Sequence, residues 1–237
     1  ICFKNLEHRG PDGKGSFENE NIQLAHTRLS IIDLSIKGKQ PMKIDNDRYI
    51  IVFNGEIYNY KEIKEELKLK GEKFYTESDT EVVLKSYKIW GKSCLNKFEG
   101  MFAFLIWDNK MNNAFFARDK VGEKPFLFSI EKNNLIFASE YKALTSLLKK
   151  KKKLNFSSIN LYLNYNYTPE PNTLLENVKK LPAGHYGFFY LNEDKLEIKE
   201  YWSLAKIKKN NETTDKIKIY DEIFNEIEKS VELSLTS

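Results

Sequence analysis

The chain has few of the residues that support metal centres, disulfide frameworks or membrane anchors. Its 237 residues include two cysteines, Cys2 and Cys94, and three scattered histidines. Neither set has the spacing of a metal site or a disulfide framework. No apolar run approaches the ~20 residues of a membrane-spanning helix, and the first residues are too polar for a signal peptide. We therefore expect a cytoplasmic protein that binds no metal in this region and no membrane.

Phosphate-binding and nucleic-acid-binding signals are also missing. The sequence contains no G-x-G-x-x-G and no G-x-x-x-x-G-K-[ST] motif. The net charge is +4, and the basic excess is concentrated in one lysine run at 149–153. A single run of this kind is typical of a solvated connection rather than a nucleic-acid surface. A hydrophobic content of 41% and an aromatic content of 14% are instead enough for a substantial core.

Alternating apolar residues predict antiparallel strands interrupted by helices, hence an α+β fold rather than a parallel nucleotide-binding sheet. Two hairpins are expected, with turns at 109–113 and 132–134. Ser78 and Glu81 have the spacing of a capping box at a helix start. The other predicted strands are 22–34, 48–60 and 181–191, and the predicted helices are 59–71, 78–91 and 156–167.

Both ends of the chain read as helices. Residues 1–10 have the pattern of an amphipathic helix that closes at Gly10-Pro11. Residues 217–237 place Tyr220, Phe224, Ile227 and Val231 at helical spacing with no stop signal. We place one domain at 1–190, and a linker with the first helix of a second, truncated domain at 191–237.

Three polar positions within apolar segments are candidates for a site. Arg28 fits either a structural salt bridge or bidentate capture of a carboxylate. Asp79, at a predicted helix start, could neutralise the helix dipole or hold an ammonium group. Asn54-Gly55 is a strong hairpin-turn signal by itself, although an amide and an unhindered N–H side by side could also stabilise an oxyanion.

Nine strings along the chain resemble the amino-terminal glutaminase domain of glutamine-hydrolysing asparagine synthetase. Each string is only modestly specific, but they occur in order over almost the whole sequence. They are EHRGPDG (7–13), AHTRLSIIDLS (25–35), GKQPM (38–42), VFNGEIYNY (52–60), ESDTEVVL (77–84), FEGMFAFLIWD (98–108), ARDKVGEKPF (117–126), FASEYKAL (137–144) and YTPEPNTLLENVKKLPAGH (167–185).

The resemblance implies an N-terminal-nucleophile amidotransferase, with two antiparallel sheets between helical layers in an αββα sandwich. It implies that Arg28 binds the α-carboxylate of glutamine and Asp79 its α-ammonium. Asn54 and Gly55 would supply the oxyanion hole. Leu29, Ser30, Ile31, Ile32 and Glu56 would line the pocket.

The nucleophile departs from the family pattern. Family members begin with a cysteine whose own α-amino group is the base, followed by glycine and a strand. Here Cys2 follows Ile1, precedes Phe3 and stands six residues before His8, on the predicted helix. We therefore expect the nucleophile and its strand upstream of Ile1 and the synthetase domain downstream of Ser237. The fragment should then bind glutamine weakly and not hydrolyse it.

In the family, ammonia from glutamine passes to a synthetase domain in which ATP and Mg²⁺ activate aspartate. No cofactor is expected in residues 1–237, and the expected partners are glutamine, the synthetase domain and a second copy of the chain in a homodimer. Three alternatives are a relative that amidates another acid, an amidotransferase of purine or amino-sugar synthesis, and a non-catalytic glutamine-binding remnant. VGEKPF and the string at 167–185 favour the asparagine synthetase branch over the second alternative.

Overall fold

The computed structural model describes residues 2–149, 152–207 and 216–235. Within these ranges the chain forms an α+β fold with antiparallel strand pairing throughout its sheets. The strands are β1 (Gly13–Glu18), β2 (Gln23–Arg28), β3 (Met42–Ile44), β4 (Tyr49–Ile57), β5 (Gly100–Asp108), β6 (Asn113–Arg118), β7 (Leu127–Glu131), β8 (Asn134–Ala138), β9 (Lys179–Lys180), β10 (His185–Tyr190) and β11 (Lys195–Glu200). The helices are α1 (Cys2–Leu6), α2 (Tyr60–Leu69), α3 (Asp79–Trp90), α4 (Tyr141–Leu147), α5 (Phe156–Tyr165) and α6 (Lys216–Ser234).

Six strands form the central sheet, in the order β11-β10-β6-β5-β4-β3. Side chains alternate across β4, as they do along any strand. Ile51 and Phe53 pack in the core that α2 and α3 share with the sheet. Ile50 and Val52 pack on the opposite face, in the core shared with the second sheet layer. Because both faces are covered, β4 and β5 read as nearly continuous apolar runs.

The second sheet layer consists of two pieces, β1-β2 and β8-β7-β9. Outside it, α1 packs against α4, and the Asn5 side-chain amide lies 3.1 Å from Ser146 Oγ. The resulting order is helices, central sheet, second sheet layer and helices, which confirms the predicted αββα sandwich of two antiparallel sheets.

Several sequence predictions are confirmed at the level of elements. Both hairpins form, as β5–β6 and β7–β8. Helices cover most of 59–71, 78–91 and 156–167. The predicted capping box forms at Ser78 but not at Glu81. Ser78 accepts a hydrogen bond from the Thr80 N–H at 3.2 Å, but Glu81 accepts from Tyr75 and Thr76 and pairs with Lys85 at 3.1 Å.

The hairpin-turn interpretation of Asn54-Gly55 is wrong. Both residues lie within the nine-residue strand β4 and face Ala103 and Phe102 of β5 in continuous register. The local signal fails because the buried pairing with β5 decides the conformation. The strand expected over 22–34 is also shorter than predicted and ends at Arg28.

The ends of the chain are helical, as α1 and α6. Ile1, the side chain of Cys2, residues 150–151 and 208–215, the side chain of Lys216 and the last two residues lie outside the described part. The predicted domain boundary at residue 190 falls inside the β10–β11 hairpin, because β11 continues the central sheet. In the described part, no helix has both the length and the apolar character needed to cross a membrane.

Candidate functional site

The polar candidates gather around the second half of β4 and the start of α3. The Asp79 carboxylate accepts a hydrogen bond from the Ile57 N–H at 3.1 Å, which ties the helix start to the strand end. Gln40 makes a second tie, since its amide nitrogen lies 3.2 Å from the Phe53 carbonyl and 3.3 Å from Thr80 Oγ1. Strand, loop and helix are therefore held together by buried polar contacts.

The Gly55 N–H lies on the side of β4 that faces away from the β5 hydrogen-bond ladder. The Phe53 N–H donates to Gln40 Oε1 at 2.6 Å, and the Ile57 N–H donates to Asp79. Because N–H directions alternate along a strand, the Gly55 N–H between them points to the same side, away from β5. A Cβ at residue 55 would lie 2.1 Å from the Met101 carbonyl oxygen, and φ is +153°. Only glycine fits this position.

The neighbouring Asn54 side chain is an unused donor. Its amide nitrogen is buried and has no hydrogen-bond partner among the described residues. Such a group is costly to bury unless something satisfies it. It lines a cavity of about 520 Å³ between the two sheet layers. Asn54 and Gly55 thus present two adjacent donors, one from a side chain and one from the backbone.

Asp79 is a buried carboxylate without a cation. Its side chain belongs to a residue only 5% exposed, and no described residue forms a salt bridge with it. Burial, with a smaller contribution from the nearby negative charge of Glu56, raises the pKa of Asp79 to about 7 against the lowering effect of the Ile57 and Thr80 amides. A bound ammonium group would stabilise the ionised form. This is the electrostatic behaviour expected of an ammonium site.

Arg28 is held by its own loop. Its guanidinium donates to the Ser35 carbonyl at 2.7 Å and to the Asp33 carbonyl. The structural salt bridge that we considered for Arg28 is not formed with any described residue. Because guanidinium has five N–H donors, further donors of the fork are left for a carboxylate.

The loop after β2 carries the other predicted lining residues. Leu29 and Ile31 are exposed, whereas Ile32 packs against the helix-side core. The Ser30 N–H donates to Asp12 at 2.7 Å. Glu56, on β4, is buried.

One contact joins this loop to the start of α3. Asp33 Oδ2 accepts from the Glu77 N–H at 3.1 Å, two residues before Asp79. The loop of Arg28, the Asn54-Gly55 pair and Asp79 therefore lie at the same end of β4. The 520 Å³ cavity itself is lined by Asn54 but not by Arg28, Gly55 or Asp79. Convergence of all four groups on one glutamine-sized hollow stays a prediction.

Three residues that shape the site were not singled out from sequence. Gln40 bridges β4 and α3, Gly38 leaves room for the Arg28 guanidinium, and His26 Nε2 donates to the Phe53 carbonyl at 3.2 Å. Burial lowers the pKa of His26 to about 4, so the imidazole is neutral at pH 7. All three lie within the strings AHTRLSIIDLS and GKQPM, so the family resemblance of these strings could have identified them.

Comparison with known proteins identifies the family. The glutamine amidotransferase domain family matches residues 2–202. The chain belongs to this family. It is 39% identical over 225 residues to a putative glutamine-hydrolysing asparagine synthetase 2 of Methanocaldococcus jannaschii, covering 86% of this chain and 43% of that protein. It is 41% identical over 179 residues to asparagine synthetase 1 of Bacillus subtilis, covering 76% and 28%.

A solved structure agrees with the fold of this amidotransferase domain. The glutamine phosphoribosylpyrophosphate amidotransferase of B. subtilis, complexed with ADP and GMP, superposes with a TM-score of 0.60 at 18% identity, covering 86% of this chain and 46% of that one. The resemblance to glutamine-hydrolysing asparagine synthetases stated from the motifs is confirmed. The chain spans less than half the length of the two curated relatives above.

The described part of the amidotransferase domain supplies no accessible thiol. Cys94 is fully buried, and burial raises the pKa of its thiol, so it is an inert core residue as predicted. Cys2 begins α1, and its side chain lies outside the described part. Across the described residues, no cluster of three His, Cys, Asp or Glu side chains could hold a metal ion.

Proposed function

We propose that the site binds glutamine and hydrolyses its side-chain amide to glutamate and ammonia. The observation that carries the proposal is the buried Asn54 amide, which has no partner among the described residues and precedes the Gly55 N–H that points away from β5. Both lie near the buried Asp79 carboxylate, which forms no salt bridge with a described residue. Arg28 binds the α-carboxylate and Asp79 the α-ammonium. Ser30 and Glu56 lie beside them, and the hydrophobic residues Leu29, Ile31 and Ile32 border the pocket.

The reaction is acyl transfer through a thioester. A cysteine thiolate attacks the amide carbon of glutamine, and the carbonyl oxygen becomes an oxyanion that accepts from Asn54 Nδ2 and the Gly55 N–H. The C–N bond then breaks, the nitrogen leaves as ammonia with a proton from the general base, and a thioester remains. Water attacks the thioester, which releases glutamate and restores the thiol.

The thiol is supplied from outside the described residues. Cys94 is excluded by burial, and Cys2 lies on helix α1 rather than at a strand start. The 237 residues alone should therefore bind glutamine and not turn it over. By the resemblance, the nucleophile is a cysteine whose own α-amino group is the base.

The ammonia is used by a second domain in the complete enzyme. Two curated relatives are named glutamine-hydrolysing asparagine synthetases, and each is more than twice as long as the matched region. By this analogy aspartate is the acceptor, activated by ATP and Mg²⁺ in that second domain, and the enzyme works in the cytoplasm. The acceptor specificity belongs to residues outside this chain, so amidation of another carboxylate by the same glutaminase chemistry is the second candidate.

The binding part is tested by NMR titration of the 237-residue chain with glutamine. We expect shifts at Arg28, Gly55 and Asp79, and weaker binding of Arg28→Lys, whose ammonium lacks the bidentate fork. The Lys199→Arg variant of exposed β11 is the matched surface control. Glutamine-dependent shifts confined to other parts of the chain would contradict the proposed site.

The catalytic part is tested by glutamate release. We expect none from the 237 residues, and turnover abolished by Cys2→Ala would overturn the assignment of the thiol. In a chain that also carries the nucleophile strand, Asn54→Ala should lower turnover ~10²–10³-fold, the usual effect of removing one oxyanion donor. Unchanged turnover of the Asn54→Ala variant would refute the assignment of Asn54 to the oxyanion hole.

A further inference from the structure

Gln40 lies at the point where the pairing between β3 and β4 stops. The register pairs Met42 with Ile51, and the same register continued would place Gln40 opposite Phe53. β3 nevertheless begins at Met42, so no strand pairs with Phe53 on this side of β4. Buried backbone N–H and C=O groups need partners, and those of Phe53 must find them elsewhere.

The Gln40 side-chain amide takes the place of a strand at this position. Its Oε1 accepts from the Phe53 N–H at 2.6 Å, and its Nε2 donates to the Phe53 carbonyl at 3.2 Å. Two residues of an antiparallel hydrogen-bonded pair exchange the same two bonds through their backbones. Because an N–H needs an acceptor and a carbonyl needs a donor, only this orientation of the amide fits. The amide therefore ends the ladder with both backbone groups of Phe53 satisfied.

Gly55, the next residue of β4 with its N–H on this side, has no such partner. In the continued register it would face Gly38. The Gly38 N–H instead donates to the Ser35 carbonyl at 3.3 Å, in the short helical turn Ile36–Gly38. Gln40 thus marks the boundary between the paired and the open part of this edge of β4.

Gln40 is itself held firmly in place. Only 7% of the residue is exposed. Its Nε2 also lies 3.3 Å from Thr80 Oγ1, in the first turn of α3. A Cβ at Gly15 would overlap the Gln40 carbonyl oxygen, so β1 packs directly against the backbone of this residue. The amide therefore connects the backbone just before Asn54 with the helix that begins at Asp79.

We propose that Gln40 is a positioning residue for the oxyanion hole: its side-chain amide closes the ladder at Phe53 and so leaves the Gly55 N–H free and directed at the ligand. Gln40 touches neither glutamine nor the reacting atoms. It acts through the backbone of β4, because Phe53 and Gly55 are two residues apart and present their N–H groups to the same side. The oxyanion part of this role rests on the proposed function, whereas the placement of the Gly55 N–H does not.

The test compares two variants that each lose one side-chain amide. Gln40→Met keeps the length of the side chain and removes the amide. Asn109→Leu is the matched control, because the Asn109 amide joins Trp107 Nε1 to the Asp47 carbonyl at the opposite end of the β4–β5 ladder. Amide hydrogen exchange of the 237-residue chain, measured by NMR, is the first readout.

In the parent chain the Phe53 amide should exchange slowly and the Gly55 amide faster. In Gln40→Met the Phe53 amide loses its acceptor and should exchange ~10-fold faster, the usual effect of one hydrogen bond. The Leu105 amide of β5 should change less, and Asn109→Leu should not produce the local change at Phe53. Unchanged exchange at Phe53, equal acceleration at Leu105, or a Gly55 amide as slow as that of Phe53 would overturn the proposal.

A second variant keeps the proposal testable where Gln40→Met does not fold. Gln40→Asn retains the amide but is one methylene shorter, so it cannot make both bonds to Phe53. It should show the same local acceleration at Phe53, and parent-like exchange there would overturn the bridging role.

Turnover tests the positioning role and separates it from the proposed function. In a chain that also carries the nucleophile, Gln40→Met should lower kcat ~10–100-fold with KM nearly unchanged, because the oxyanion forms only in the transition state. Asn109→Leu should change neither constant. A raised KM with unchanged kcat would overturn the role of Gln40 and leave the glutamine site standing. No turnover by the parent, with Phe53 and Gly55 exchanging as stated, would refute the proposed function and leave the placement of the Gly55 N–H standing.

Discussion

Two buried aspartates, one after β6 and one at the start of α3, have opposite environments. Asp119, which follows β6, is fully buried and accepts hydrogen bonds from four backbone amides at 2.9–3.2 Å. Asp79, at the start of α3, is almost as buried, but its carboxylate accepts from the Ile57 N–H at 3.1 Å with only the Thr80 amide and the Ser78 side chain as further hydrogen-bonding neighbours among the described residues. The first carboxylate is saturated by its own chain, whereas the second has acceptor capacity left.

This contrast separates a structural carboxylate from the carboxylate that we propose as the ammonium site. Asp119 organises the loop after β6, because its oxygens collect the amides of that loop and one from β5. Asp79 organises little backbone and retains a raised pKa, which a cationic ligand would relieve. Burial alone therefore does not indicate a site, but burial without sufficient partners does.

The largest expected effect is the loss of unfolding free energy when Asp119, the carboxylate with four backbone donors, is replaced. Asp119→Ala leaves up to four amides without their acceptor, each at ~1–3 kcal/mol when it stays buried. A loss of more than ~4 kcal/mol would be a large fraction of the 5–15 kcal/mol typical of a domain. Urea unfolding measures it. Asp119→Asn, which keeps one carbonyl acceptor, should lose less, and equal stability of Asp119→Ala and the parent chain would contradict the structural role.

The opposite change is expected at Asp79. Its pKa is raised to about 7 in the folded chain and is 3.8 as the reference value, so the folded state binds the proton more tightly. The free energy of unfolding should then fall as pH rises from about 4 to about 7. Asp79→Asn lacks this fall and should be the more stable chain at pH 8, by at most ~4 kcal/mol. Thermal unfolding at pH 5 and pH 8 measures the difference, and a stability deficit at pH 8 would reverse our assignment.

Glutamine affinity should depend on the ionisation of the same carboxyl, but it should rise with pH where the free energy of unfolding falls. Only ionised Asp79 attracts the α-ammonium, and in the free chain the pKa of this carboxyl is about 7. Affinity should therefore be highest above pH 7 and fall by up to ~10-fold per pH unit below it. Calorimetric titration between pH 5.5 and 8.5 checks this. Asp79→Asn should bind more weakly with a flat profile, and an unchanged slope would assign the titration to another group.

The sequence predicted the secondary-structure elements and the family more accurately than the local backbone geometry. Apolar periodicity located both hairpins and the main helices, because these segments bury the faces that their patterns predict. It failed at Asn54-Gly55, where a strong turn signal lies in mid-strand because β5 pairs along the whole of β4. The capping box failed for a similar reason, since Glu81 is recruited by the preceding loop and Lys85.

The candidate site was accessible mainly through the resemblance. Arg28 and Asp79 each had a structural interpretation, and for Arg28 the structural salt bridge was the favoured one until the ordered strings were considered together. The split of the second sheet layer depends on pairing between segments that are distant in sequence, such as β7 with β9. No local pattern encodes that juxtaposition. The role of Gln40 as a bridge was missed because its partners, Phe53 and Thr80, are distant in sequence.

The smallest expected effect concerns the placement of Arg28. A Cβ at Gly38 would lie 2.4 Å from Arg28 Nη2, the mobile end of a long side chain, whereas a Cβ at Gly13 would meet only Arg28 Cβ at 3.8 Å. Gly38→Ala should move the guanidinium with little change in unfolding free energy, and it should weaken glutamine binding several-fold. Gly13→Ala is the matched control and should leave the affinity unchanged. Equal affinities of the two variants would show that the position of the guanidinium does not matter for glutamine binding. Arg28 would then be a structural residue, like Asp119, rather than a ligand-binding residue.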